Sequence, residues 1–310
     1  MSLAPRAVLV HRTTEYEELV ARHGTHGQAA FFLASRGRDV EEVAERHRRV
    51  RRALAEVTAA VPLAWRRTMV ERADLERFLF APEDLVVVVG QDGLVANVAK
   101  YLTGQPVIGI DADPGRNPGV LVGHRPRDAA RLLTAAAPGT PGTPGTGTGT
   151  GTGCDELTMV EAVADDTQRL VALNEIYLGA PGHQTARYRL GLDGDGGVAE
   201  AQASSGVLVG TGTGATGWLR SVWRERGGAL ALPAATEERL VWFVREAWPS
   251  PATGTRLVAG ELGASAALTV TVESDRLIAF GDGIETDALR LTWGQTVRFG
   301  VCGQRLRLLG

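Results

Sequence analysis

Leu85-Val86-Val87-Val88-Val89-Gly90-Gln91-Asp92-Gly93, followed after a short helical stretch by Pro106-Val107-Ile108-Gly109-Ile110, decides the fold class of this chain. Neither apolar run alternates with polar residues, so each is expected as a strand buried on both faces of a parallel sheet. Leu94 to Leu102 between them reads as helix, and strand, helix, strand with short links is the unit of a doubly wound α/β domain. Upstream, Ala7 to Val10 predicts a buried strand, Tyr16 to His23 a helix and Ala29 to Leu33 a further short strand. From Asp39, an expected N-cap with Glu42 in capping-box position, the apolar residues Val40, Val43, Val50, Leu54, Val57 and Val61 predict an amphipathic helix. Glu71 to Phe80 predicts a shorter one.

Downstream the composition changes at Ala137. Pro138 to Gly153 is little but Gly, Thr and Pro, which cannot bury enough surface to order a backbone, and is expected as a flexible linker or insertion. Beyond it strands are expected at Arg169–Leu178, Ala186–Leu192, Gly206–Val209, Leu268–Val272, Leu277–Phe280, Leu289–Thr292 and Thr296–Phe299. Only Trp218 to Arg226 and Glu237 to Trp248 predict helices. The expected organisation is an α/β domain with a parallel sheet over residues 1–136, a linker over 137–153 and a β-rich domain over 154–310.

Composition narrows the chemistry. The chain has 310 residues, 44% hydrophobic and 22% charged, with a net charge of −3. No basic footprint for nucleic acid or anionic lipid is present, so the expected partner is a small molecule. No apolar run approaches the ~20 residues of a membrane helix, and Ala7–Val10 is too short for a signal-peptide core of ~7–15 residues, so a cytoplasmic protein is expected. Cys154 and Cys302 cannot build a disulfide framework and are expected to be bystanders. Lys100 is the only lysine among 33 basic residues. Its neighbours, Ala99 and Tyr101, exclude a Walker A loop.

Three constellations carry chemistry. Gly90-Gln91-Asp92-Gly93 lies at the carboxyl end of an expected strand, where open α/β sheets bind ligands. A carboxylate there can take a proton from a hydroxyl nucleophile or hold Mg²⁺, or Asp92 simply caps the next helix. Thr211-Gly212-Thr213-Gly214-Ala215-Thr216-Gly217-Trp218 follows a strand and contains a literal GxGxxG, yet no second strand ending in an acid follows about 20 residues on, which argues against a Rossmann dinucleotide site. It can bind phosphate through N–H groups and Thr hydroxyls, or be a plain turn. Asn174-Glu175 offers an amide edge and an acceptor for a ribose diol, provided the strand ends or bulges there; otherwise the two side chains point to opposite faces.

In this order and spacing the three resemble the NAD kinase family, related more distantly to diacylglycerol kinases and phosphofructokinases. Gly90-Gln91-Asp92-Gly93 stands at the family's Gly-Gly-Asp-Gly, Asn174-Glu175 at its Asn-Glu pair and Thr211 to Trp218 at its Thr-Pro-Thr-Gly-Ser-Thr-Ala-Tyr, with Ser221 at a serine just beyond. Pro106–Ile110 and Gly119-Val120-Leu121 are similar to the family's strand and Gly-Phe-Leu turn. The resemblance implies a kinase with a nucleotide-binding N-terminal domain, a β-rich substrate-binding C-terminal domain, an active site in the cleft between them, and a homodimer or homotetramer.

It further implies Asp92 as general base for the adenosine 2′-hydroxyl of NAD and as a Mg²⁺ ligand, with Gly90, Gln91 and Gly93 at the nucleotide. Asn174 and Glu175 would meet NAD's ribose, pyridine-side groups or adenine. Thr211, Thr213, Gly214, Thr216, Gly217, Trp218 and Ser221 would line the bound ligands, with Mg²⁺ and ATP, or polyphosphate in some members, as donor. Gln91, Ala215, Gly217 and Trp218 depart from the family pattern, and Ser205-Gly206 stands where it has Asp-Gly. Asp92 is kept while the acceptor pocket is altered, so a sugar, nucleoside or lipid hydroxyl is the alternative acceptor, and a non-catalytic nucleotide-binding homologue the alternative role. Asp193 to Gly197 is expected as a hairpin turn, and Asp282-Gly283, similar to a late turn of the family, carries no assigned chemistry.

Overall fold

The computed structural model describes residues 4–116, 119–137, 153–193 and 199–310. The 138–152 part of the expected linker and residues 194–197 of the expected hairpin turn lie outside them. Two compact units emerge: 1–155 with 307–310, and 156–306. The last four residues thus count with the first unit.

In the first unit β1 (Arg6–His11) lies parallel between β2 (Arg66–Glu71) and β3 (Asp84–Gly90), and β3 pairs in parallel with β4 (Pro106–Asp111). The C-terminal end of β16 (Thr296–Leu309) joins β4 through Arg307 and Leu308. Six consecutive residues of β3, Asp84 to Val89, are buried. α3 (Val40–Ala60) and α5 (Ala129–Ala135) pack on the sheet, α4 (Asp92–Ala99) follows β3, and α1 (Glu15–His23) and α2 (His26–Ala34) pack on the start of α3. Ala53, Leu54 and Val57 of α3 pack on Ala7, Leu9, Val87 and Ile108.

Two local expectations are corrected here. Ala29 to Leu33 belongs to a helix, α2, whose N-cap Thr25 accepts from Gln28 N. Its apolar run buries only Ala29 and Leu33 and leaves Phe31 exposed, a helical period hidden inside a short run. Glu71 ends β2, and only a 3₁₀ turn, Arg72–Arg77, follows, with Glu71 accepting from Ala73 N. Asp39 caps α3 as expected, although it accepts from Glu41 N.

The second unit packs two antiparallel sheets face to face. One holds β5 (Cys154–Ala164), β6 (Arg169–Ala172), β8 (Ala186–Leu192), β9 (Ala199–Ser204), β13 (Leu268–Val272) and most of β16. The other has the order β12-β11-β10-β7-β14-β15, where β7 is Glu175–Gly179, β10 Gly206–Gly210, β11 Arg239–Arg245, β12 Ala259–Gly263, β14 Leu277–Gly281 and β15 Ile284–Leu291. Ile176, Leu178, Val207, Val209 and Trp242 meet Tyr188, Leu190, Val270 and Phe299 in the core. On the outer face of the second sheet, Leu219 and Val222 of α6 (Trp218–Glu225) cover Leu208, Val241 and Phe243.

Arg239–Arg245 is a strand where a helix is expected. Leu240, Trp242 and Val244 fill the core while Val241 and Phe243 lie under α6, so the strand is apolar on both faces and shows no alternation. Trp248, the last residue of that expected helix, is 70% exposed. Arg169–Leu178 is also no single strand: it breaks at Leu173-Asn174 into β6 and β7.

Candidate functional site

In the first unit Gly90, Gln91, Asp92 and Gly93 link β3 to α4. Gln91 occupies the N-cap position in an extended conformation (φ −121°, ψ 164°) and makes no side-chain cap bond. That backbone suits any residue, so glutamine in place of glycine strains nothing. The side chain of Asp92 is turned elsewhere. Its Oδ2 accepts from Val120 N at 2.9 Å, and its Oδ1 from Leu121 N at 2.9 Å and Val122 N at 3.0 Å.

The loop so held also runs along β4. His124 N donates to Gly109 O and Asp111 N to His124 O. A Cβ on Gly109 would stand 1.9 Å from Leu121 O, so only glycine admits this approach. Asp92 is therefore not the helix cap but the fastening of residues 120–122. A carboxylate has about four acceptor positions. Three N–H donors leave one, on Oδ2, to meet a hydroxyl or a cation.

The remaining expected site residues gather in the second unit, around the β6–β7 break and the turn after β10. Leu173 N and Asn174 N donate to Oδ2 and Oδ1 of Asp282, at 2.8 and 2.7 Å, instead of continuing a ladder. This break is the condition under which the adjacent Asn174 and Glu175 can serve one ligand. Glu175 is 9% exposed. Burial, and then the negative charge of Asp282, pushes its carboxyl from the usual range up to about 8.

The glycine segment divides into a buried half and an open half. Thr211 Oγ1 donates to Leu173 O at 2.6 Å and accepts from Thr213 N and Gly214 N at 3.1 and 3.3 Å. Thr211 N donates to Asn174 O. A Cβ on Gly214 would lie 2.3 Å from Asn174 O and 3.0 Å from Glu175 Oε2, and one on Gly212 2.1 Å from Ala234 O. These glycines admit neighbouring backbone, and the donors of Thr213 and Gly214 are taken by Thr211. Thr213 Oγ1 is buried without a partner.

Thr216, Gly217 and Ser221, by contrast, are exposed, and Trp218 is half-buried. The ring of Trp218 lies 5.4 Å from that of Tyr177, which lies 5.3 Å from Phe280, and the Arg245 guanidinium sits over Trp218 at 5.6 Å. Tyr177 Oη donates to the carbonyl of exposed Ser205. Gly206 has φ +134°, and a Cβ there would strike Leu178 O and the Tyr177 ring. Asp282 and Tyr177 are the neighbours that motif spacing alone does not supply. Only the Asp-Gly dipeptide between two short strands signals the first, as a hairpin turn.

Among the described residues no helix is long and apolar enough to cross a membrane, and no group of three or more His, Cys, Asp and Glu side chains could hold a metal ion.

No protein-family model matches the sequence, and no curated protein matches it. Among solved structures the chain is similar to an NAD kinase from Archaeoglobus fulgidus in complex with ATP: 15% identity, a TM-score of 0.57, and coverage of 99% of this chain and 93% of that one. The fold, an N-terminal α/β domain with a mostly parallel sheet and a C-terminal antiparallel β-rich domain, is NAD kinase-like.

Proposed function

We propose that this chain is an ATP-dependent kinase that phosphorylates an alcohol, with the adenosine 2′-hydroxyl of NAD as acceptor and NADP as product. The observation that carries it is the pairing of Asn174 and Glu175 at a strand break, directly against the Thr211–Gly214 turn, in a chain whose fold is that of an NAD kinase. Residues 1–136 would bind nucleotide and 154–310 the acceptor, in a homodimer or homotetramer.

Each residue has a role that its surroundings support. The remaining acceptor position on Asp92 Oδ2 takes the proton of the attacking hydroxyl, while the N–H groups of residues 120–122 keep the carboxylate still. Gly90, Gln91 and Gly93 flank it beside the nucleotide. Glu175, protonated near neutral pH, donates to a ligand oxygen beside the amide of Asn174. Thr211, Thr213 and Gly214 shape the turn from inside, and Thr216, Gly217, Trp218 and Ser221 face the ligand. The open position on Asp92 Oδ2 serves one partner at a time, so Mg²⁺ would arrive on the donor's phosphates, keep most of its waters and meet Asp92 through one of them. When bound it neutralises phosphate charge.

A second acceptor class is favoured by one observation. Exposed Ser205, half-buried Trp218 and the Arg245 guanidinium stacked over it present a rim suited to another hydroxylated metabolite, a sugar, nucleoside or lipid. Transfer of label from γ-labelled ATP separates the readings. Label on NAD supports the first and label on another hydroxyl the second. ATP binding with no transfer to any acceptor would make the chain a nucleotide-binding homologue and overturn the kinase assignment.

A further inference from the structure

We propose that Asp282 is a positioning residue of this site: it makes the strand break that brings Asn174 and Glu175 to one ligand, an inference that rests on reading that pair as ligand-binding. Asp282 and Gly283 form the two-residue loop of the β14–β15 hairpin, flanked by the pair Gly281 and Ile284. Both have positive φ, +53° and +69°. That is the conformation of a tight primed turn, which Asp-Gly favours. Asp282 is one of three described non-glycine residues with positive φ, so the turn chemistry there is specific.

The turn aims the carboxylate across the sheet. Both oxygens accept from successive N–H groups, those of Leu173 and Asn174, and Asp282 N donates back to Glu175 O at 3.2 Å. Three bonds on three consecutive residues fix the break from a place 108 residues away in sequence. Without the carboxylate, two N–H groups lose their acceptors and the β6–β7 segment is free to straighten, which returns Asn174 and Glu175 to opposite faces. Because Thr211 N donates to Asn174 O and Gly214 closes on the same carbonyl, the break also seats the glycine turn.

Titration calorimetry with NAD and with ATP, on the native chain and on Asp282→Gly, Asp282→Asn, Asn174→Ala and Glu175→Gln, tests this. Glycine is at ease at positive φ, so Asp282→Gly keeps the hairpin and removes the clasp. The expected result is nucleotide binding about tenfold weaker or more in Asp282→Gly, similar to Asn174→Ala, in a chain that still folds but melts at a lower temperature because two N–H groups have lost their acceptor. Asp282→Asn, which keeps one acceptor oxygen, falls in between. In turnover, KM for the same nucleotide rises while kcat stays within about threefold, a split that general destabilisation would not give.

Native affinity in folded Asp282→Gly, with Asn174→Ala and Glu175→Gln impaired, would overturn the inference and leave the site standing. If Asp282→Gly does not fold, native affinity in Asp282→Asn overturns it equally. Native affinity in both Asn174→Ala and Glu175→Gln, or no binding of either nucleotide by the native chain, would instead overturn the reading of the pair.

Discussion

Asp92 and Asp282 solve the same problem in the two units. Each precedes a glycine, each lies where a strand gives way to the next element, and each accepts from consecutive N–H groups far away in sequence, Val120 to Val122 in one case, Leu173 and Asn174 in the other. They differ in what else the carboxylate faces. Asp92 fastens residues 120–122 against β4 and keeps an acceptor position open, so it can both hold structure and meet a substrate. Asp282 lies beside another carboxyl, Glu175, and adds to burial in raising that group's hold on its proton. A carboxylate clasp by itself is structural, and its neighbours decide whether chemistry follows.

The largest effect expected from breaking this comparison comes from the glycines that let the clasps close. Gly109→Ala places a methyl 1.9 Å from Leu121 O and Gly214→Ala one 2.3 Å from Asn174 O. Backbone must move in both, so each should lose about 4 kcal/mol in urea unfolding, the first by disturbing the Asp92 clasp and the second the Asn174 break. A loss below about 1 kcal/mol would show that the loops are not held as described.

Next in size is the pH dependence set by Glu175. Its carboxyl binds a proton more tightly folded, at about 8, than unfolded, near 4.5. The folded state therefore holds more protons between those values, and stability is full below pH 4.5 and declines as pH rises toward 8. Glu175→Gln removes the decline, so the variant should exceed the native chain by several kcal/mol at pH 8.5 and by little at pH 4. Urea unfolding at the two pH values checks this, and equal differences at both would contradict it.

Asp92→Asn sharpens the contrast on the other side. An asparagine oxygen can keep Leu121 N and Val122 N, but its amide nitrogen then faces Val120 N, so a loss of roughly 1–3 kcal/mol is expected along with lost turnover. Activity in this variant must be read beside its melting temperature. The smallest effect belongs to Gln91→Gly, where an unstrained, exposed cap position predicts a stability change within about 0.5 kcal/mol. A rise in turnover there would identify Gln91 as an obstruction at the nucleotide.

What was legible in the sequence follows from the range of the forces involved. Leu85–Val89 and Pro106–Ile110 announced a buried parallel sheet because solvent meets neither face, and β3 and β4 are those strands. The same property misled at Arg239–Arg245, apolar on both faces beneath α6. The Asn174–Glu175 pair was visible as a motif, but the break that makes it useful is imposed by Asp282 from another hairpin, which no local pattern encodes. Likewise Gly214, expected at the ligand, also admits the Asn174 carbonyl in the fold, as Gly212 admits that of Ala234, close approaches that no local pattern announces.

The most direct measurement incubates the native chain with Mg²⁺-ATP and NAD, with a readout specific for NADP, beside Asp92→Asn at a temperature where both are folded. NADP is expected from the native chain and none from the variant. NADP formed equally by both would contradict the role of Asp92, and no phosphoryl transfer from ATP to NAD or to any other hydroxyl would contradict the kinase itself.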